Sequence, residues 1–135
     1  AVSPQPALEI AGEGPPLGVP AEAAIARVAD AGGLGEETRY AVAVFTSEGC
    51  PICQSLAPAI ALLGRDPLLA VAVFDEQRDR DLWERLAIPG SPHAVVMSPD
   101  GTVLAQGTFN SLRQLESLVA TAEAREREAF AAIHA

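Results

Sequence analysis

Tyr40-Ala-Val-Ala-Val-Phe-Thr-Ser-Glu-Gly-Cys-Pro-Ile-Cys53 is the stretch on which the fold turns. Tyr40 to Thr46 is a near-continuous apolar run, and such runs fit strands buried on both faces of a helix-covered sheet. The last four residues hold both cysteines of the protein in one Cys-x-x-Cys. From Cys53 to Leu63, Leu56, Ile60 and Leu63 recur at helical spacing. The cysteines therefore lie where a strand gives way to a helix. A second apolar run, Leu68-Leu-Ala-Val-Ala-Val-Phe74, follows. Strand, helix and strand in that order predict a βαβ unit with a right-handed crossover, and so an α/β protein.

That placement has chemical consequences. Cys50 falls at a helix N-terminus, where unpaired backbone N–H groups and the helix dipole stabilise an anion. A thiolate is favoured there, and the thiolate is the nucleophile. Cys53 follows three residues on, close enough to attack a mixed disulfide and release the partner. Pro51 suits the first helical turn, since the N–H it lacks would go unpaired anyway. The alternatives are a pair of structural thiols or half of a zinc site. The other candidate ligands, His93 and His134, match no common zinc spacing. Pro58, inside the helix, predicts a kink or a break. Pro92, directly before the apolar run 93–97, is compatible with a cis peptide at Ser91-Pro92.

Further out, Ala21 to Ala31 reads as a short helix with Ile25, Val28 and Ala29 on one face, ended by Gly32-Gly33. Residues 77–87 read as a charged amphipathic helix with Leu82, Trp83 and Leu86 inward. Ala94 to Met97 is a third strand, Ser98-Pro-Asp-Gly101 a turn, and Thr102 to Ala105 the returning strand of a hairpin. Asn110-Ser111 caps a helix carrying Leu112, Leu115, Leu118 and Val119. The alternating acids and arginines of 123–128 predict a solvated extension of it. Residues 1–20 hold five of the eleven prolines and three of the eleven glycines. They read as an extension, a tether or an edge strand, with Leu8-Glu9-Ile10 as a short strand. Residues 21–135 form the domain.

With 135 residues, 49% of them hydrophobic, the chain can bury one real core. All nine basic residues are Arg, and the net charge is −9. That balance argues against nucleic-acid binding and against docking to an anionic membrane. No apolar run reaches the roughly 18 residues that span a bilayer. Beginning at Ala1, the chain is expected to have been processed or cut from something longer. A membrane association would then run through an N-terminal anchor absent from this chain.

Cys50-Pro-Ile-Cys53, Pro58 five residues on, and Ile88-Pro-Gly-Ser-Pro92 before a strand together resemble the thioredoxin fold. The resemblance covers residues 40 to about 121. It implies three layers, a central mixed β-sheet flanked by helices, with the Cys-x-x-Cys at a helix N-terminus. Carried over, Cys50 attacks, Cys53 resolves, Pro92 faces them, and Ser91 offers its backbone to an extended substrate peptide. Pro51, Ile52, Glu48 and His93 are supporting candidates. Three stretches look like the MauD family of methylamine utilization proteins, which are membrane-anchored periplasmic thioredoxin-like proteins. They are Phe45 to Cys53, Ser91-Pro-His-Ala-Val-Val-Met97 and Gly107 to Leu118.

The MauD resemblance implies a disulfide oxidase or isomerase serving the small subunit of methylamine dehydrogenase. It would work outside the cytoplasm with a separate redox partner and no cofactor beyond its own disulfide. A TlpA- or ResA-like reductase would share most of these residues. Two departures bear on that choice. Gly49 stands where thioredoxins usually carry Trp, and Val44 where they carry a buried acid. Cys53 must then rely on water, on Glu48 or on the substrate. Pro51 directly after the first Cys is shared with glutaredoxin-like and DsbA-like motifs, which leans towards an oxidising couple. Two other classes stay open. One is a metal-binding module using Cys50, Cys53 and His93. The other is an escort whose charge steers a basic client.

Overall fold

The structure is a computed structural model, and it describes residues 9, 10 and 12–134. Its elements are α1 (Glu22–Asp30), β1 (Tyr40–Thr46), α2 (Pro51–Leu63), β2 (Leu69–Asp75), α3 (Arg80–Arg85), β3 (His93–Met97), β4 (Val103–Thr108) and α4 (Leu112–Ile133). Of the short strand expected at Leu8-Glu9-Ile10, Leu8 lies outside the described residues, and Glu9 and Ile10 form no strand.

The sheet runs in the order β2-β1-β3-β4. β1 pairs parallel with β2, so that Val44 faces Val73, and antiparallel with β3, so that Phe45 faces His93. β3 and β4 form the expected hairpin. Side chains alternate across the pleat and give two cores. Ala41, Ala43 and Phe45 pack with Ala24 and Val28 of α1 and with Leu82 and Trp83 of α3. Tyr40, Val42 and Val44 pack with Ile60 of α2 and with Leu115, Leu118 and Ala122 of α4. This is the mixed sheet between two helix layers that the thioredoxin resemblance implies. Trp83 is core: its ring meets Phe45 edge-on at 5.8 Å, a contact worth about 0.5–1.5 kcal/mol beyond its buried area.

Four expectations need correcting. β2 is not buried on both faces, because among the described residues it is an edge strand that α2 leaves partly uncovered, and Val73 stays 44% exposed. The charged helix is shorter than 77–87. The Asp75 carboxylate accepts from the N–H groups of Gln77 and Arg78, which holds that stretch as a turn before α3. Pro58 does not break α2, which runs unbroken with Pro58 on its exposed side. The 123–128 run is only partly solvated. Arg125 reaches Glu9 at 2.6 Å and Glu126 accepts from the Tyr40 hydroxyl at 2.8 Å.

Residues 12–20 lie against the hairpin. Gly18 N–H donates to Val103 O at 2.8 Å, and Pro20 bridges Thr102. Deeper in, Gly14 packs so tightly on Gln106 that a Cβ there would overlap its side-chain oxygen.

Candidate active site

β1 ends at Thr46, and Ser47, Glu48 and Gly49 carry the chain over to α2. The Cys50 N–H donates to Ser47 O at 3.2 Å, and the Gln54 side-chain amide donates to Glu48 O at 2.8 Å. These two bonds hold the loop against the first turn of the helix. Cys50 is the N-cap of α2, in extended conformation, with Pro51 in the first turn. Cys50 and Cys53 are joined in a disulfide, their Cα atoms 5.2 Å apart. The Cys53 N–H donates to Cys50 Sγ at 3.1 Å. The sulfur thus takes the place of the side-chain oxygen that usually caps a helix. An anion at such a helix end gains about 0.3–1 kcal/mol from the dipole, and up to about 2 where it is partly buried.

Cys50 is 9% and Cys53 5% exposed, while Ile52 between them is 43% exposed. The pair thus lies behind an exposed rim to which Glu48 and Pro51 also belong. The Ser91–Pro92 peptide is cis, and Pro92 O accepts from Phe109 N–H at 3.0 Å. The Ser91 hydroxyl shares a 2.7 Å hydrogen bond with the Ser47 hydroxyl, which ties the proline loop to the loop before the cysteines. The backbone groups of Ser91 have no hydrogen-bond partner among the described residues. Ser47 is not among the sequence-predicted site residues. Its position directly after the first strand was the available signal, but its partner lies 44 residues away.

His93 does not join the cysteines. It faces Phe45 across the β1–β3 ladder and so projects towards the α1/α3 face, away from α2. There it is buried. Nε2 bonds Gln106 Oε1 at 3.1 Å and Nδ1 lies 3.4 Å from Thr108 Oγ1. Burial holds its pKa below the ordinary imidazole value, against an opposing pull from Gln106 and from the charge of Glu13. That orientation takes His93 out of the Cys50, Cys53 and His93 ligand set. Among the described residues no three His, Cys, Asp or Glu side chains group to hold a metal. Val44 is fully buried in apolar surroundings, so its position offers Cys53 no proton acceptor.

No family model matches this chain, and no curated protein matches it. Solved structures do. A mutant thioredoxin from Halobacterium salinarum NRC-1 is similar with a TM-score of 0.56 and 21% identity, over 81% of this chain and 90% of that one. Fasciola hepatica thioredoxin is similar with a TM-score of 0.57 and 20% identity, over 63% of this chain and 83% of that one. Schistosoma mansoni thioredoxin gives 0.56 and 15%, over 63% and 78%. At such identities the likeness establishes the fold, which is that of thioredoxin.

Proposed function

We propose that this protein is a thiol–disulfide oxidoreductase that passes its Cys50–Cys53 disulfide to protein clients. The observation that carries this reading is the redox pair itself, set at the N-terminus of α2 with the Cys53 N–H aimed at Cys50 Sγ. A client thiolate attacks Cys50 Sγ. The Cys50–Cys53 bond breaks, and its electron pair leaves on Cys53, which takes up a proton. A second client thiolate then attacks the client sulfur of the mixed disulfide, and Cys50 leaves as a thiolate held by the helix N-terminus. The client loses two electrons and the protein gains them, so a separate redox partner must restore the disulfide. No cofactor is needed. Ser91 and Pro92 line up the client backbone, and Ile52 and Glu48 meet its side chains.

The same features support an oxidising direction of flow. A helix end that stabilises the Cys50 thiolate stabilises the reduced form, and a stabilised reduced form makes the couple oxidising. Val44, in place of a buried acid, leaves the reductive activation of Cys53 without a dedicated base. The MauD-like stretches Phe45 to Cys53, Ser91 to Met97 and Gly107 to Leu118 support a client such as the small subunit of methylamine dehydrogenase. They also support a site of action outside the cytoplasm.

The test is the reduction potential of the couple in glutathione buffers. About −120 to −180 mV is expected; about −270 mV or lower would reverse the direction to a TlpA- or ResA-like reductase. Cys50→Ser is expected to abolish exchange and Cys53→Ser to accumulate mixed disulfides. Full turnover by Cys50→Ser would overturn the reading.

A further inference from the structure

Beside Cys53, between α2 and β2, the surface opens into a groove of about 570 Å³. One wall is the flank of α2, lined by Cys53, Ala57, Ala61 and Gly64; the floor is Val71 and Val73 of β2. The small residues of α2 give the groove its depth. Its openness comes from the topology, since among the described residues β2 has a neighbour on one side only. We infer that this groove docks an apolar, extended segment of the client next to the client cysteine. The inference rests on the redox reading and names the substrate class of that site: unfolded chain, not finished globular surface.

Three observations select this occupant. The first is length. From Cys53 to Gly64 the helix rises about 16 Å at 1.5 Å per residue, which about five residues of extended chain at 3.3 Å each would match. The second is continuity. The lining includes Cys53 and Ser47, and Ser47 bonds Ser91, so a chain in the groove runs into the disulfide. The third is charge. The redox end is rimmed by Glu48 and Asp75 on a molecule of net charge −9, with Arg65 lining the groove beside Gly64. A segment with apolar side chains and a basic residue beside its cysteine complements that arrangement. β2 runs alongside, and edge strands take up extended peptides in other recognition systems.

The test uses oxidised protein and two twelve-residue peptides, each with two cysteines and a terminal Lys. Five positions beside one cysteine are Val and Leu in one peptide, Ser and Gln in the other. Each turnover converts peptide dithiol to disulfide and protein disulfide to dithiol. The unmodified protein should oxidise the apolar peptide about tenfold faster. Ala61→Trp, which fills the groove from an exposed helical position, should bring that ratio near one, as should Val73→Glu. Leu62→Trp, also on α2 but outside the groove, should keep it.

A ratio near one in the unmodified protein, or a tenfold ratio surviving both groove variants, overturns the docking inference. Failure of dithiothreitol and of both peptides to reduce the disulfide would overturn the redox reading. The groove is then judged alone, by fluorescence anisotropy of the labelled apolar peptide on the Cys50→Ser, Cys53→Ser protein. Saturable binding lost in Ala61→Trp supports it, and no binding overturns it.

Discussion

An imidazole at position 93 could serve a thiolate or could sit in a core, and its neighbours in sequence do not say which. The ladder decides. Facing Phe45 puts His93 on the sheet face opposite α2, and Gln106 from β4 completes its hydrogen bonding. The consequence is a pH effect on stability that is independent of the cysteines. His93 has a folded pKa below its unfolded value of about 6.5, so the unfolded chain binds the extra proton. Stability is then fully present above pH 6.5 and falls as the pH drops below it. Glu9, Gln106, Thr108 and Glu13 are the polar and charged groups around this ring. Urea unfolding should show the unmodified protein less stable at pH 5.5 than at pH 7.5. That loss should largely vanish in His93→Gln, whose stability at pH 7.5 is lower by about 1–2 kcal/mol for the disturbed hydrogen bonds. An undiminished pH dependence in the variant would assign the effect elsewhere. Cys50 and Cys53, by contrast, were legible without a fold, because their chemistry depends on a local strand-to-helix junction.

The elements end where local backbone chemistry ends them, and two positions with left-handed backbone show it from opposite sides. Gly101 closes the β3–β4 turn at φ 94°, and a Cβ there would come within 2.8 Å of Ile25 Cγ2. Ala87 terminates α3 at φ 53°. Ile88 N–H donates to Trp83 O at 3.1 Å and Ala87 N–H to Glu84 O at 3.2 Å, a Schellman motif with Ala where Gly is usual. Left-handed backbone costs a non-glycine residue about 1–2 kcal/mol, whereas glycine adds about 0.4–1 kcal/mol of unfolded-state entropy. Ala87→Gly should therefore stabilise by about 0.5 kcal/mol. Gly101→Ala should destabilise by about 1–2 kcal/mol, with the contact against Ile25 adding to the backbone cost. Urea midpoints moving in the same direction for both would sink this account. The turn at 98–101 and the stop at Gly32-Gly33 were readable because glycine marks them. The end of α3 was not, because Ala87 carries no such mark and its conformation is imposed by the bonds around it.

Across the whole molecule, charged groups clamp elements far apart in sequence. Arg125 on α4 holds both carboxylate oxygens of Glu9, at 2.6 and 2.8 Å, and donates to Leu104 O at 2.9 Å. Asp79 accepts from Arg27 on α1 at 2.7 Å and from Asp75 N–H at 2.9 Å. The Arg125 hydrogen bond holds the Glu9 carboxyl below its ordinary pKa. Burial pushes Asp79 up, but the bonds from Arg78, Asp75 and Arg27 outweigh it and leave its pKa lowered too. Carboxylates of depressed pKa stabilise the fold above about pH 4, and that contribution is lost as the pH falls through the folded values. Arg125→Met should cost about 1 kcal/mol at pH 7, a modest sum because the pair is partly exposed, and the deficit should shrink below pH 4. A deficit that grows on acidification would contradict the clamp. The sequence by itself determined the α/β class, the strand-to-helix junction and the cysteine pair placed on it, since apolar periodicity and helix-end chemistry are local. Only the tertiary structure decided that β2 is an edge, that His93 turns from the cysteines, that Ser47 meets Ser91 and that a groove opens beside Cys53. Each of those depends on which strands pair and which helix covers them, and pairing is settled by the packing of the whole chain.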